Sequence, residues 1–186
     1  VDEETGLTGA FRLQDGCLQG KQLINLASED DGQVFIGCAG GIDTLAKMHY
    51  QPLALSPNSI IALQIKVGGL MGGHSGDDIN KGRGNANKIL VRFLYQVMQA
   101  TDMQLATING GNLRNAIARE AMAVAFVPEE FQAEFEEFVK VMEENFRREY
   151  QVTEPGLSVK AVIEETQPEL VIDEMTQFDL LNALYA

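Results

Sequence analysis

The sequence predicts an α+β fold in which helices cover one face of a mainly antiparallel sheet. The middle of the chain reads strand, strand, helix, strand, strand, helix, strand when its hydrophobic periods are followed in order. Strands that follow one another without a helix between them favour hairpin-like, antiparallel pairing. A split βαβ, ferredoxin-like arrangement is therefore the expected architecture.

The strands are predicted from apolar residues that alternate with polar ones, or from short apolar runs. Alternation covers part of 42–53 and of 59–70, and apolar runs at 22–26 and 33–41 indicate two earlier strands. Further strands are expected at 103–111, 120–127 and 157–165.

Three helices are predicted where apolar residues recur on one face of a 3.6-residue period. The first begins near Asn87 and carries Ile89, Leu90, Phe93, Leu94, Val97 and Met98 on that face. The second is marked by Phe131, Phe135, Phe138, Met142 and Phe146, with glutamates mostly on its wet side. The third covers residues 175–185.

Charge and composition exclude several classes of function. The 186 residues carry 27 acidic and 14 basic side chains, a net charge of −13, which argues against nucleic acid or an anionic membrane surface as a partner. No apolar run approaches the roughly 20 residues that span a bilayer, and a cytoplasmic location is expected. Cys17 and Cys38 are not a CxxC pair and are expected to be reduced thiols.

Three stretches carry groups suited to catalysis. The adjacent carboxylates of DEETG could bind a metal and shuttle a proton, although acidic pairs are usually solvated surface. In GGHSG, glycines let His74 approach a ligand closely and donate to an oxyanion, although a lone histidine in a turn usually bonds to backbone. In NGGNLRNAIAREA, Asn115, Arg114 and Arg119 could grip a carboxylate, or could be ordinary loop residues.

The order of these stretches closely resembles the aminoacyl-histidine dipeptidases of the M20 metallopeptidase family. The resemblance is carried by DEETGLTGAF, GGHSGDDINKGRGNANK and GGNLRNAIAREA, and it is weakest after about Pro128. It implies a clamp in which a lid or dimerisation domain is inserted into a catalytic domain with two zinc ions. Residues 1–40 would then be part of the catalytic domain, and residues 41–186 a lid that is incomplete at its C-terminus.

The same resemblance implies roles for individual residues. Glu3 corresponds to the general base for the metal-bound water, and Glu4 to a zinc ligand. His74 corresponds to the lid histidine that stabilises the oxyanion, and in related dimers this histidine can come from the partner subunit. Asn115 lies in the substrate-contacting motif, and Arg119 is the candidate for the substrate carboxylate. The implied activity is zinc-dependent hydrolysis of Xaa-His dipeptides such as carnosine by a homodimer.

Departures from the family pattern make catalysis by this chain alone doubtful. Ala27 stands where a zinc-binding aspartate is expected, so either Glu29 or Asp30 takes that place or a ligand has been lost. Ala118 stands where a proline is expected, and Arg12 where a glycine is expected. The upstream zinc ligands and the C-terminal histidine ligand are missing, and both ends read as cut, so only part of the zinc site is expected. The alternatives are a non-catalytic lid or dimerisation module, and another M20 branch such as an aminoacylase or tripeptidase.

Overall fold

The computed structural model describes residues 8–22, 24, 26, 31–37, 42, 44–55, 60–165 and 168–186. The chain divides into two units, Val1–His49 and Tyr50–Ala186. In the described part of the first unit, one short helix forms, α1 (Thr8–Phe11). The predicted domain boundary between residues 40 and 41 lies outside the described residues, so the assignment of 1–40 to a catalytic domain stays a prediction.

The strands predicted before residue 53 are not found where the structure describes the chain. Residues 22, 24, 26 and 33–37 are not in strands, and of the described residues in 42–53 only Leu53 is. Their apolar side chains are exposed, with Val34 at 90% and Ile36 at 102%. An apolar run becomes a strand only when a neighbouring strand pairs with it and its side chains find a surface to pack on.

The second unit contains the remaining helices and all the strands of the described residues. They are β1 (Leu53–Ala54), β2 (Ile60–Gly68), β3 (Gly73–His74), α2 (Ala86–Ala100), β4 (Gln104–Gly110), β5 (Ala116–Ile117), β6 (Ala121–Pro128), α3 (Gln132–Glu149), β7 (Ser158–Ile163), β8 (Leu170–Val171) and α4 (Glu174–Tyr185). The strands predicted within 59–70, 103–111, 120–127 and 157–165 are confirmed, as are the three helices. The short strands β3, β5 and β8 were not predicted from the sequence.

The main sheet has the strand order β4-β6-β2-β7, and every neighbouring pair is antiparallel. Along the chain, β2, α2, β4, β6, α3 and β7 follow one another. This is the βαββαβ connectivity of a split βαβ, and it confirms the predicted α+β class. Two further ladders of two strands each, β1 with β8 and β3 with β5, lie beside the main sheet.

The hydrophobic core lies between the main sheet and the helices. The apolar face of α2 is buried, including Phe93 and Leu94, and alternate residues of β2 such as Ile65 and Val67 face it. The rings of Phe93 and Phe135 meet edge to face with centroids 5.9 Å apart, which joins α2 to α3. This core fixes both the end of β2 and the start of α2, so the polar loop between them is held at two defined points.

Candidate functional site

The glycine-rich stretch around His74 forms the loop that connects β2 to α2; we call residues 71–84 the His74 loop. Near its start the loop pairs with β5, with His74 opposite Ala116 and Gly73 opposite Ile117. Gly73 has φ +148°, and a Cβ there would overlap the Arg83 guanidinium and the Asp78 carboxylate. Only glycine permits both this backbone angle and this close approach, which explains why His74 follows glycine.

The His74 imidazole is oriented by its own loop. Its Nδ1 accepts hydrogen bonds from the backbone N–H of Gly76 at 3.0 Å and of Asp77 at 3.2 Å. In the neutral ring the proton therefore lies on Nε2, which becomes a hydrogen-bond donor. His74 is exposed, so this donor is open to a ligand. The predicted turn contacts and the predicted donor role are thus compatible, because they use different nitrogens.

Asp78 fixes the backbone of the same loop. Its Oδ2 accepts from the His74 backbone N–H at 2.8 Å and from Arg83 Nη1 at 3.1 Å, and its Oδ1 accepts from Lys81 Nζ at 2.6 Å. Arg83 Nη1 also donates to the Gly72 carbonyl. The Asp78 pKa lies below its ordinary value. The hydrogen bond from Lys81 lowers it most, the hydrogen bond from the His74 backbone N–H comes next, and the charge of Arg83 makes a smaller contribution. Asp78 thus shapes the loop, and its side chain does not cap the short 3-10 helix that follows, Ile79–Lys81.

Asn115 immediately precedes β5, the strand that pairs with the His74 loop, and Arg119 follows two residues after that strand. The Asn115 carbonyl accepts from the Ser75 backbone N–H at 2.8 Å, so Asn115 directly flanks the His74 ladder. The Arg119 side chain packs against Gly72, and its Nε–H donates to the Leu70 carbonyl at 3.4 Å. Of the three predicted lid residues, His74 and Asn115 therefore lie on opposite sides of the same short ladder, where His74 pairs with Ala116 and Asn115 bonds to Ser75. The third, Arg119, packs at the start of the His74 loop.

A cleft of about 1060 Å³ opens beside this pairing. It is lined by the ends of β4 and β6 and the segment between them, with Lys66, Asn112 and Arg119 among its polar residues. Arg119 therefore faces a space large enough for a small ligand. His74 and Asn115 do not line this cleft, so the structure of this chain does not place all three candidate residues around one cavity.

The remaining predicted site residues lie outside the described residues. These are Glu3, Glu4 and the departure at Ala27. Within the described parts of the chain, no group of three or more His, Cys, Asp or Glu side chains could hold a metal ion. No helix in those parts is long and apolar enough to cross a membrane.

Sequence reasoning missed two residues that hold the His74 loop. Arg83 stands between glycines in KGRGN, and Glu154 stands alone in VTEPG. The backbone N–H groups of Met71 and Gly84 donate to the Glu154 carboxylate. Arg83 acts within its own loop, on Gly72 and Asp78, and lies inside the stretch that was already singled out. No local pattern marks Glu154, because it acts on amides 70 and 83 positions away in the sequence.

Comparison with known proteins agrees with this fold. Residues 65–154 match the model of the peptidase dimerisation domain, M20_dimer. Over 159 residues the chain is 41% identical to the cytosol non-specific dipeptidase of Escherichia coli (strain K12), a match that covers 86% of this chain and 33% of that protein. The crystal structure of aminoacylhistidine dipeptidase from Vibrio alginolyticus matches with a TM-score of 0.77 and 37% identity, over 100% of this chain and 37% of that chain.

The chain spans about a third of the length of both relatives. The matched domain begins inside β2 and ends at Glu154, and so contains the His74 loop, Asn115, Arg119 and the residues that hold the loop. The resemblance read from GGHSGDDINKGRGNANK is thereby confirmed: the chain carries the peptidase dimerisation domain of the M20 family.

Proposed function

We propose that the full-length protein is a zinc-dependent dipeptidase of the cytosol that hydrolyses Xaa-His dipeptides such as carnosine. Both relatives are named as dipeptidases, one as a cytosol protein and the other as an aminoacylhistidine dipeptidase. The observation that carries the proposal is the His74 side chain, whose Nδ1 is engaged by two backbone amides while its Nε2–H is open to a ligand.

His74 acts on the charge that forms during peptide hydrolysis. When water adds to the peptide carbonyl carbon, the π electrons move to the oxygen, which becomes negatively charged. A donor already fixed in direction stabilises this oxyanion without reorganising, and it has little to stabilise in the neutral ground state. We assign this donor to His74 Nε2–H. The glycines on either side allow the imidazole to stand at the surface, where a second surface can close on it.

Two further residues bind the substrate in this proposal. Arg119 faces the cleft, and its guanidinium suits the carboxylate at the end of a dipeptide because it offers several donors in one plane. Asn115 is held by the ladder next to His74, and its side-chain amide is the candidate contact to the peptide group. A dipeptide bound in this way would be recognised at its C-terminal charge and near its scissile bond.

Zinc would polarise the substrate carbonyl and lower the pKa of a bound water. We propose Glu4 as one ligand and Glu3 as the general base, as the resemblance implies. The described residues do not by themselves offer a metal site.

The test is steady-state kinetics of the full-length protein carrying His74→Ala. We expect kcat for carnosine to fall about 10²–10³-fold, or ~3–4 kcal/mol of transition-state stabilisation, with a small change in KM. Zinc content and melting temperature should match the wild type. Asp77→Ala is the matched control, because Asp77 contacts His74 through its backbone amide.

A kcat within about two-fold of the wild type in His74→Ala would remove the histidine from the mechanism. The substrate class is tested separately with carnosine, a dipeptide without histidine, a tripeptide and an N-acyl amino acid. Preference for the last two would favour another M20 branch over the histidine-dipeptide branch.

Homodimer formation is the second function that we propose for this chain, and the match to a dimerisation domain favours it. Among the described strands, β7 pairs on one side only, with β2. The C-terminal end of β7 carries two exposed apolar side chains, Val162 at 55% exposure and Ile163 at 60%. Such an edge offers backbone donors and acceptors to a second copy of the same strand.

A further inference from the structure

Glu154 is the only charged residue that is buried in the parts of the chain that the structure describes, at 1% exposure. A buried carboxylate is costly unless hydrogen-bond donors compensate its charge. Its two observed donors are both backbone amides, the N–H of Met71 at 2.6 Å to Oε2 and the N–H of Gly84 at 2.8 Å to Oε1. Both oxygens are therefore used to hold backbone.

These two amides are the ends of the His74 loop, 13 residues apart in sequence. The intervening chain contains glycines at 72, 73, 76 and 82, which lose more conformational freedom on ordering than any other residue type. A single carboxylate that bonds one N–H at each end closes this flexible segment into a ring. The loop geometry thus depends on a residue outside the loop.

The fold brings Glu154 to this place through the turn after α3. The Tyr150 carbonyl accepts from the Glu154 N–H at 2.8 Å, which continues the helix by one turn. Two residues later, the backbone of Gly156 packs directly on that of Gly69, where a Cβ on Gly69 would overlap the Gly156 carbonyl. This backbone-to-backbone contact sets the distance between the turn and the end of β2, and so the reach of the Glu154 side chain.

The two held ends connect directly to the groups that fix His74. Met71 precedes Gly72, whose carbonyl accepts from Arg83 Nη1. Gly84 follows Arg83, which also donates to the Asp78 oxygen that accepts the His74 backbone N–H. A shift at either end of the loop would therefore move Arg83 and Asp78, and His74 with them.

We propose that Glu154 is a positioning residue that holds both ends of the His74 loop and thereby sets where the His74 imidazole stands during catalysis. The proposal rests on the proposed function of His74 for its effect on turnover. Its structural part, that one carboxylate orders the whole loop, stands independently of that function.

The test compares Glu154→Gln with Gln177→Leu in the full-length protein. Gln in place of Glu keeps the volume but presents an N–H₂ group to one of the two backbone amides, so one hydrogen bond is lost. Gln177 is the matched control. It is also buried, at 3% exposure, and also makes two backbone hydrogen bonds, to Leu105 N at 2.6 Å and Met103 O at 2.9 Å, in a different part of the fold.

Amide hydrogen exchange of residues 71–84 is the first readout. We expect it to accelerate by about 10-fold or more in Glu154→Gln and to stay near the wild-type rate in Gln177→Leu. The second readout is kinetics, where we expect kcat to fall about 10- to 100-fold in Glu154→Gln with KM within about two-fold, because a displaced donor weakens transition-state contact. If Glu154→Gln does not fold, Glu154→Asp replaces it in both measurements, because its shorter side chain keeps the charge but reaches only one of the two amides.

Unchanged exchange of residues 71–84, or equal effects of the Glu154 and Gln177 variants on kcat, would overturn the proposal. If His74→Ala proves to have normal kcat, the proposed function fails. The exchange experiment then still decides whether Glu154 orders the loop, so the two failures are distinguishable.

Discussion

At the scale of single residues, the two nitrogens of the His74 ring have different roles: Nδ1 accepts backbone hydrogen bonds that orient the ring, and Nε2 is left as the donor. The sequence offered two interpretations of this histidine, a turn residue bonded to backbone or an oxyanion donor. The structure shows the turn contacts at Nδ1. We infer that these contacts prepare the donor, because they set both the tautomer and the direction of Nε2–H.

Asp78 gives a prediction about pH at the same scale. Its folded-state pKa lies below the ordinary 3.8, so folding favours the ionised form. The stabilisation is therefore present in full above about pH 3.8 and is lost as the pH falls through the lower folded-state value. We expect the difference in unfolding free energy between wild type and Asp78→Asn to be constant from pH 5 to 8 and to shrink below pH 4.

Urea denaturation at a series of pH values measures this difference. A carbon-13 NMR titration of the Asp78 carboxyl carbon provides the direct check. A midpoint for Asp78 at or above its ordinary 3.8 would contradict the role assigned to Lys81 and the His74 amide.

At the scale of elements, the start of α2 fixes the far end of the His74 loop. Asn85 is the N-cap, and its side chain accepts from the Asn87 backbone N–H at 3.0 Å. The next residue, Ala86, donates its N–H to the Ala118 carbonyl at 2.9 Å, which ties the helix to the segment after β5. The resemblance implies a proline at position 118, where this chain has alanine. The contact needs only the backbone carbonyl of residue 118, which either residue provides.

We expect Asn85→Ala to destabilise the protein by about 1 kcal/mol, the usual cost of removing an N-cap acceptor. Asn85→Asp keeps the acceptor and should lie within a few tenths of a kcal/mol of the wild type. Equilibrium denaturation in urea measures both variants. An equal loss in the two would show that the cap is not the reason for the asparagine.

At the scale of the whole molecule, one exposed strand edge leads to the prediction about assembly. Glu164 N donates to the Ala62 carbonyl at 2.9 Å, and the alternation of an antiparallel ladder then turns the Ala161 N–H away from β2 and toward the free edge of β7. We expect Ala161→Pro to remove an edge donor without breaking the β2 ladder, and to weaken dimer association by about 10-fold or more.

Sedimentation or light scattering over a concentration series measures the association of Ala161→Pro. Ala161→Ser, which retains the N–H, is the control and should associate like the wild type. Unchanged dimerisation of a folded Ala161→Pro protein would direct attention to a helix face as the interface.

The sequence alone determined the long elements of the second unit, which are β2, β4, β6, β7 and the helices α2, α3 and α4, because their apolar residues repeat with the period of a helix or a strand and face one core. It also determined the family, through a long stretch of glycines and charged residues around His74. The tertiary structure decided the rest. It showed no strand in the described part of 22–42, because an apolar run needs a pairing partner. It placed Asn115 beside His74 through the β3–β5 ladder, and Glu154 under both ends of the loop. Such contacts join positions 40 to 83 residues apart, and no periodicity along the chain records which distant groups will meet.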